Sequence, residues 1–123
     1  MSIWSIIMVS VVSLYNDKPQ FNDFREIVII PGNQKGLLAK QQLIFEKDSA
    51  GCRERDLKIT VCSEASCRKK YDSHLKEGDL FNILLIGKDG GVKSVWSRVV
   101  ETKEIFALVD AMPMRRSEMK RNP

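Results

Sequence analysis

The chain has 123 residues, of which 43% are hydrophobic and 29% charged, and its formal net charge is +4. This length suits one packed core, and the composition is typical of a globular protein, which excludes two ordinary domains and wholesale disorder. The positive charge is uneven, because residues 114–123 carry four basic residues against Glu118. Nucleic-acid binders more often spread basic residues over a face with interleaved aromatics, so we expect no nucleic-acid partner.

The amino-terminal segment, residues 1–20, contains an apolar run over residues 3–14 that only serines interrupt. Its length suits the apolar region of a signal peptide and is too short for a transmembrane span. No Lys or Arg precedes the run and no clear cleavage site follows it, whereas its β-branched residues suit a strand. Two expectations stand: a signal peptide on a secreted or periplasmic protein, or an extra strand of a cytoplasmic one.

The first half of the main domain, residues 21–123, predicts two strands and two helices. An unbroken apolar stretch at residues 27–30, ended by Pro31 and Gly32, predicts a strand buried on both faces. Apolar side chains at helical spacing, together with Gln41, predict a helix over residues 34–48 that the break at Ala50 and Gly51 closes. Alternation over residues 57–62 predicts a strand, and the polar stretch 66–76 a short surface helix.

The second half predicts two further strands and a final helix. Residues 81–86 form a fully apolar strand, and residues 92–100 a more mixed one. Thr102 is the expected N-cap of the last helix, which Pro113 kinks or ends. The order β-α-β-α-β-β-α, with a parallel first pair and an antiparallel last pair, predicts the α/β class, as a thioredoxin-like mixed sheet flanked by helices.

The stretch LIGKDGGVK, residues 85–93, has two interpretations. A phosphate-binding loop would need GxxxxGK followed by Ser or Thr and then a helix, whereas here Lys88 follows the first glycine and the next residues alternate like a strand. Asp89 and Gly90 are the pair favoured in two-residue hairpin turns, since both tolerate positive φ. The pattern therefore favours a hairpin tip, with Lys88 as a candidate binding residue.

The cysteines supply the weak catalytic candidates, Cys62 and Cys67. Cys62 follows a predicted strand, and Cys67 precedes Arg68 and two lysines, whose charges favour a thiolate. A bridge between the two and a pair of ordinary thiols are both compatible with the spacing. With Cys52, the count is odd, so at least one thiol stays unpaired within the chain.

Metal and cofactor sites are not predicted. His74 is the only histidine and has no HxxxH or CxxC partner, so we assign no metal ligand and no cofactor. Near the carboxyl terminus, Arg115 and Arg116 lie among three methionines, a composition suited either to a docking surface for a protein partner or to a solvated helix end.

The second half of the chain resembles the P-DUDES domain of unknown function, which occurs in small bacterial proteins and in animal extracellular proteins of the DRO, URB, equarin and sushi-repeat type. The resemblance rests on LIGKDGGVK, on LVDAMPMRR and on the SEM that follows. It implies a thioredoxin-like fold related to peroxiredoxin-type domains, and secretion or export, which is common among the relatives. The chain lacks the CxxC and the cis-proline of redox-active thioredoxins.

We therefore expect an exported, non-redox thioredoxin-like domain that acts as a binding or interaction module. The alternative is a thiol-dependent oxidoreductase of peroxiredoxin type that uses Cys62, with or without Cys67.

Overall fold

The computed structural model describes residues 21–75 and 81–121, so the expectations for residues 1–20 and for a helix end at residue 76 lie outside it. In chain order, the first half contains strand β1 (Arg25–Ile30), helices α1 (Lys35–Lys47) and α2 (Ser49–Glu54), strand β2 (Leu57–Val61) and helix α3 (Ala65–Lys70) with a 3-10 turn at Asp72–His74. The second half contains strands β3 (Asn82–Ile86) and β4 (Val92–Trp96), then helices α4 (Thr102–Asp110) and α5 (Pro113–Arg121).

The four strands form one mixed sheet in the order β2-β1-β3-β4. Strands β1 and β2 are parallel, with Ile27 opposite Ile59, whereas β3 is antiparallel to both β1 and β4. This arrangement confirms the predicted mixed α/β sheet flanked by helices. A parallel pair needs a crossover connection, which the helical segment between β1 and β2 supplies.

The apolar strands are buried because the sheet has a core on each face. Alternate residues of β1 point to opposite sides, so Ile27 and Ile29 join one cluster while Val28 and Ile30 join the other. The first cluster packs against α1, α2 and α4, and the second against the segment around α3 through Tyr71 and Leu75. Full burial of such a side chain contributes roughly 1.5 to 3 kcal/mol.

Gln41, the polar member of the predicted apolar face of α1, is fully buried. Its Nε2 donates to the Val100 carbonyl at 2.9 Å, and the Val100 N–H donates to its Oε1 at 2.8 Å. Both polar ends of the amide are thereby satisfied, so this side chain ties α1 to the segment before α4.

Three local predictions were wrong in detail. Ala50 and Gly51 do not end the helical segment, because α2 continues through them. Glu101, not Thr102, is the N-cap of α4, and the Thr102 hydroxyl instead donates to Asp48. Strand β4 ends at Trp96 rather than at residue 100. As predicted, α4 ends before Pro113, and this proline begins a further helix, where its missing N–H costs no helical hydrogen bond.

Candidate functional site

The stretch LIGKDGGVK forms the predicted hairpin between β3 and β4, which leaves no helix at this point to cradle a phosphate. The turn is longer than the two-residue form expected from Asp89 and Gly90. The Gly90 N–H donates to the Gly87 carbonyl at 3.0 Å, and Gly90 alone in the loop has a positive φ, of 84°. Asp89 accepts from the Gly91 N–H and from Lys93, which lowers the pKa of its carboxyl group.

Lys88 points from the hairpin into a set of paired charges that we call the ionic cluster. Its members are the cations Arg25, Arg55, Lys88 and Arg115 and the carboxylates Glu54, Asp56, Asp110 and Glu118. Four positive and four negative charges make the cluster electrically balanced. It joins the start of β1, the end of α2, the hairpin and the two last helices.

Glu118, on α5, is the centre of one half of the cluster. Nη1 and Nη2 of Arg25 donate to its carboxylate, at 3.2 and 3.0 Å, and Lys88 Nζ donates to it at 2.8 Å. Lys88 also donates to Asp56 at 2.9 Å. The Arg25 side chain is only 1% exposed, so a paired carboxylate is what makes its burial tolerable.

Asp110, at the end of α4, is the centre of the other half. Arg55 donates to it through two nitrogens, each at 3.0 Å, and Arg115 Nε donates at 3.3 Å. Arg115 also donates to Glu54, from Nη1 to the backbone carbonyl at 3.1 Å and from Nη2 to the carboxylate at 3.3 Å. The Arg55 guanidinium also lies 4.0 Å from the centre of the Phe106 ring, a cation–π contact.

These contacts move the pKa values of the cluster. Burial alone would raise the pKa of Glu118, but hydrogen bonds from Arg25 and Lys88, and their charges, lower it from 4.5 to about 2. The pKa of Asp110 is lowered in the same way, since Arg55 and Arg115 outweigh the effect of burial. Burial would lower the pKa of Lys88, but hydrogen bonds to Glu118 and Asp56 raise it.

Three residues were predicted as binding contacts, and the structure places them differently. The side chains of Lys88 and Arg115 are 11% and 6% exposed and are committed to the ionic cluster. Arg116 is exposed on α5. The expectation that both arginines lie on a solvated helix surface is therefore wrong for Arg115, because one turn of α5 packs against the end of α2.

Beside the ionic cluster lies a depression of about 420 Å³ that we call the hairpin groove. It is lined by Phe21, Arg25, Gly87, Lys88, Asp89, Lys93, Met112, Pro113 and Met114. The groove thus brings together the two stretches that carry the family resemblance, the hairpin tip and the turn between α4 and α5. At Met114 it meets a shallower depression of about 530 Å³, also lined by Ser117, Lys120 and Arg121 of α5.

The candidate thiols lie elsewhere in the fold. Cys62 and Cys67 form a disulfide bridge with their Cα atoms 5.7 Å apart, so of the two open alternatives the structure shows the bridge. Cys62 is buried in the sheet core around α3, and Cys67 is partly exposed. Cys52 is a free, buried thiol whose pKa is raised by burial and by the charge of Asp48.

Within the part of the chain that the structure describes, the side chains form no metal site. His74 is exposed, and no group of three or more His, Cys, Asp or Glu side chains there is arranged to hold a metal ion. None of the helices among the described residues combines the length and apolar character needed to cross a membrane.

Sequence reasoning missed six members of the ionic cluster, namely Arg25, Glu54, Arg55, Asp56, Asp110 and Glu118. One signal was present, since Arg25 lies two residues before a fully apolar stretch, where a charged side chain needs a buried partner. The partner is 93 residues further along the chain, a distance at which spacing carries no information.

Residues 22–118 match a family described as a domain of unknown function (DUF4174), and the chain belongs to this family. Neither the curated proteins nor the solved structures yielded a match.

Proposed function

We propose that this member of the DUF4174 family is a binding module that takes a segment of a protein partner in the hairpin groove. The observation that carries the proposal is an exposed apolar surface at the groove: Phe21 is 61% exposed and Met114 38% exposed. Large apolar side chains clustered at a depression are typical of recognition surfaces, and methionine adapts to partners of different shape. This binding requires no thiol chemistry.

The chemistry of the partner follows from the charges around the groove. The ionic cluster is balanced internally, so Lys88 and Arg115 carry little unsatisfied charge outward. By contrast Arg116, Lys120 and Arg121 on α5 form no ion pair with any described residue. We therefore propose an acidic protein segment, with one apolar side chain in the groove and its carboxylates along α5.

The scaffold we propose is thioredoxin-like and corresponds to the P-DUDES domain. The strand order β2-β1-β3-β4, with β3 antiparallel to the other three strands, supports the first assignment. The loop after β1, which carries the CxxC in redox-active thioredoxins, contains Pro31, Gly32 and Asn33 and no cysteine. No cis peptide bond occurs in the described ranges 21–75 and 81–121. These features favour a scaffold that binds without the usual dithiol site.

We also propose that the protein acts outside the cytoplasm. The Cys62–Cys67 bridge supports this location, since disulfides form and persist in oxidising compartments. Protein recovered from its native source should then have the mass of the bridged chain without the amino-terminal segment.

Selection from a random peptide library displayed on phage tests the binding proposal. We expect the enriched peptides to be acidic and to share an apolar residue, and Met114→Glu to weaken their binding at least about tenfold, because it puts a like charge at the groove.

Leu37→Glu is the matched control, since Leu37 is a 37% exposed apolar residue on α1 that does not line the groove. It should leave binding unchanged. Enrichment of neutral or basic peptides, or equal effects of the two substitutions, would contradict the proposal.

A further inference from the structure

The Cys62–Cys67 bridge lies apart from the hairpin groove, on the sheet face that α3 covers. Cys62 directly follows β2, and its N–H donates to the Ile29 carbonyl at 2.7 Å, so it is held by the sheet. Cys67 lies in the first turn of α3, after four exposed residues, 63–66, of which the last two already belong to this helix. The bridge therefore joins one sulfur that the core holds to one at the surface.

We propose that Cys62 and Cys67 form a thiol–disulfide exchange site whose substrates are dithiols. A thiolate of the dithiol attacks the Cys67 sulfur and forms a mixed disulfide, while the bond to Cys62 breaks and Cys62 leaves as a thiolate that takes up a proton. The second thiol of the substrate then loses its proton and attacks the substrate sulfur that is bonded to Cys67. This breaks the mixed disulfide and releases Cys67 as a thiolate. The substrate is oxidised to a disulfide and the pair is reduced by two electrons.

Exposure decides which sulfur is attacked. Cys62 is 3% exposed and Cys67 is partly exposed, so an incoming thiolate has access to Cys67. This arrangement makes Cys62 the leaving group, and the sheet keeps it close enough to reform the bridge. The described residues thus contain both an accessible sulfur and a resolving one.

The charges beside Cys67 favour its thiolate once the bridge opens. Lys69 and Lys70 follow it in the same helix, and Glu64 is the carboxylate at the helix N-cap. The two lysines outweigh this one carboxylate, and neighbouring positive charge favours the thiolate form of a cysteine.

The position of the bridge also distinguishes it from a structural staple. Disulfides stabilise most when they close long loops, and this one joins residues only five apart. The segment after α3 has its own anchors, because Tyr71 is buried and Leu75 packs beside it against the sheet. We therefore expect the bridge to open without unfolding of the domain.

The test uses the full chain with Cys52→Ser, which removes the third thiol. Oxidised protein is treated with dithiothreitol at neutral pH without denaturant, and samples are alkylated and mapped by mass spectrometry while circular dichroism follows the fold. We expect reduction with the native spectrum retained, and alkylation of Cys67 at least about tenfold faster than that of Cys62.

Two further variants separate exchange from simple reduction. With Cys62→Ser, Cys67 should retain a mixed disulfide with the probe 2-mercaptoethanol after treatment with its oxidised form, whereas Cys67→Ser should form far less. Lys69→Gln with Lys70→Gln should slow alkylation of Cys67, while Lys58→Gln, an exposed lysine on β2, should not. A bridge that opens only when the domain unfolds, or equal reactivity of the two thiols, would overturn the proposal.

Discussion

Glu118 allows a quantitative test of the ionic cluster, through the isosteric substitution Glu118→Gln. The change removes the charge that Arg25 and Lys88 share and leaves a buried guanidinium without its carboxylate. Lys88 keeps Asp56 and Arg25 keeps its bond to the Arg55 carbonyl, so the loss is partial. Side-chain size is nearly unchanged, which confines the effect to charge and hydrogen bonding.

The expected magnitude follows from the pKa of Glu118, which falls from 4.5 to about 2 on folding. Each tenfold change in a proton dissociation constant corresponds to about 1.4 kcal/mol, so the charged form stabilises the fold by roughly 3 kcal/mol. Removing one partner of a buried pair costs about 3 to 5 kcal/mol. Because the carboxylate is 15% exposed and the remaining contacts persist, we expect a loss of about 2 to 3 kcal/mol at pH 7.

The pH dependence makes this prediction specific. A carboxyl group whose pKa is lower in the folded chain stabilises the fold fully above its unfolded pKa of 4.5, and loses that contribution as the pH falls towards 2. The difference between wild type and Glu118→Gln, measured by urea denaturation at several pH values, should therefore shrink over this window.

Glu46→Gln, at an exposed position on α1, is the control and should change the free energy of unfolding by less than about 0.5 kcal/mol. A loss below about 1 kcal/mol for Glu118→Gln, or a difference that does not vary with pH, would refute our account of the cluster.

Two paired substitutions test other parts of the structure. Arg115→Ala should lower the free energy of unfolding by about 2 to 3 kcal/mol, because it removes a buried partner of Asp110. Arg116→Ala, at an exposed position, should change it by less than about 0.5 kcal/mol. Equal effects of the two substitutions in thermal or urea denaturation would contradict the burial of Arg115. Gly90→Ala should lower the free energy of unfolding by about 1 kcal/mol, because a φ of 84° is strained for a residue with a side chain. Gly36→Ala, in a helix with open space around it, should be neutral or slightly stabilising. A Gly90→Ala variant as stable as the wild type would contradict the positive φ at this turn.

The sheet was predictable because its signals are local. Residues 27–30 and 83–86 are unbroken apolar stretches, and a strand with a core on both faces requires this pattern. The hairpin was predictable for a similar reason, since its glycines are concentrated at the turn. Its exact form was not, because Asp89 does not take the positive φ that the two-residue turn requires, and its carboxylate instead accepts from the Gly91 N–H and from Lys93.

Helix ends and candidate contacts were less predictable. Gly51 is a poor helix former and so indicated a break, but it lies within a helix because the close approach of Phe106 leaves no room there for a side chain. Arg115 and Arg116 are neighbours of the same type, so composition treats them alike. Their difference arises because α5 turns one of them towards Asp110 and Glu54 and the other towards solvent.

The sequence by itself determined the strand pattern, the hairpin between β3 and β4 and the absence of a CxxC after β1, because each depends on residues close together in the chain. Only the tertiary structure decided which charges are buried and which thiols are bonded. Arg25 meets Glu118 because β1 and α5 pack at the same end of the sheet, and such long-range pairing leaves no trace in residue spacing.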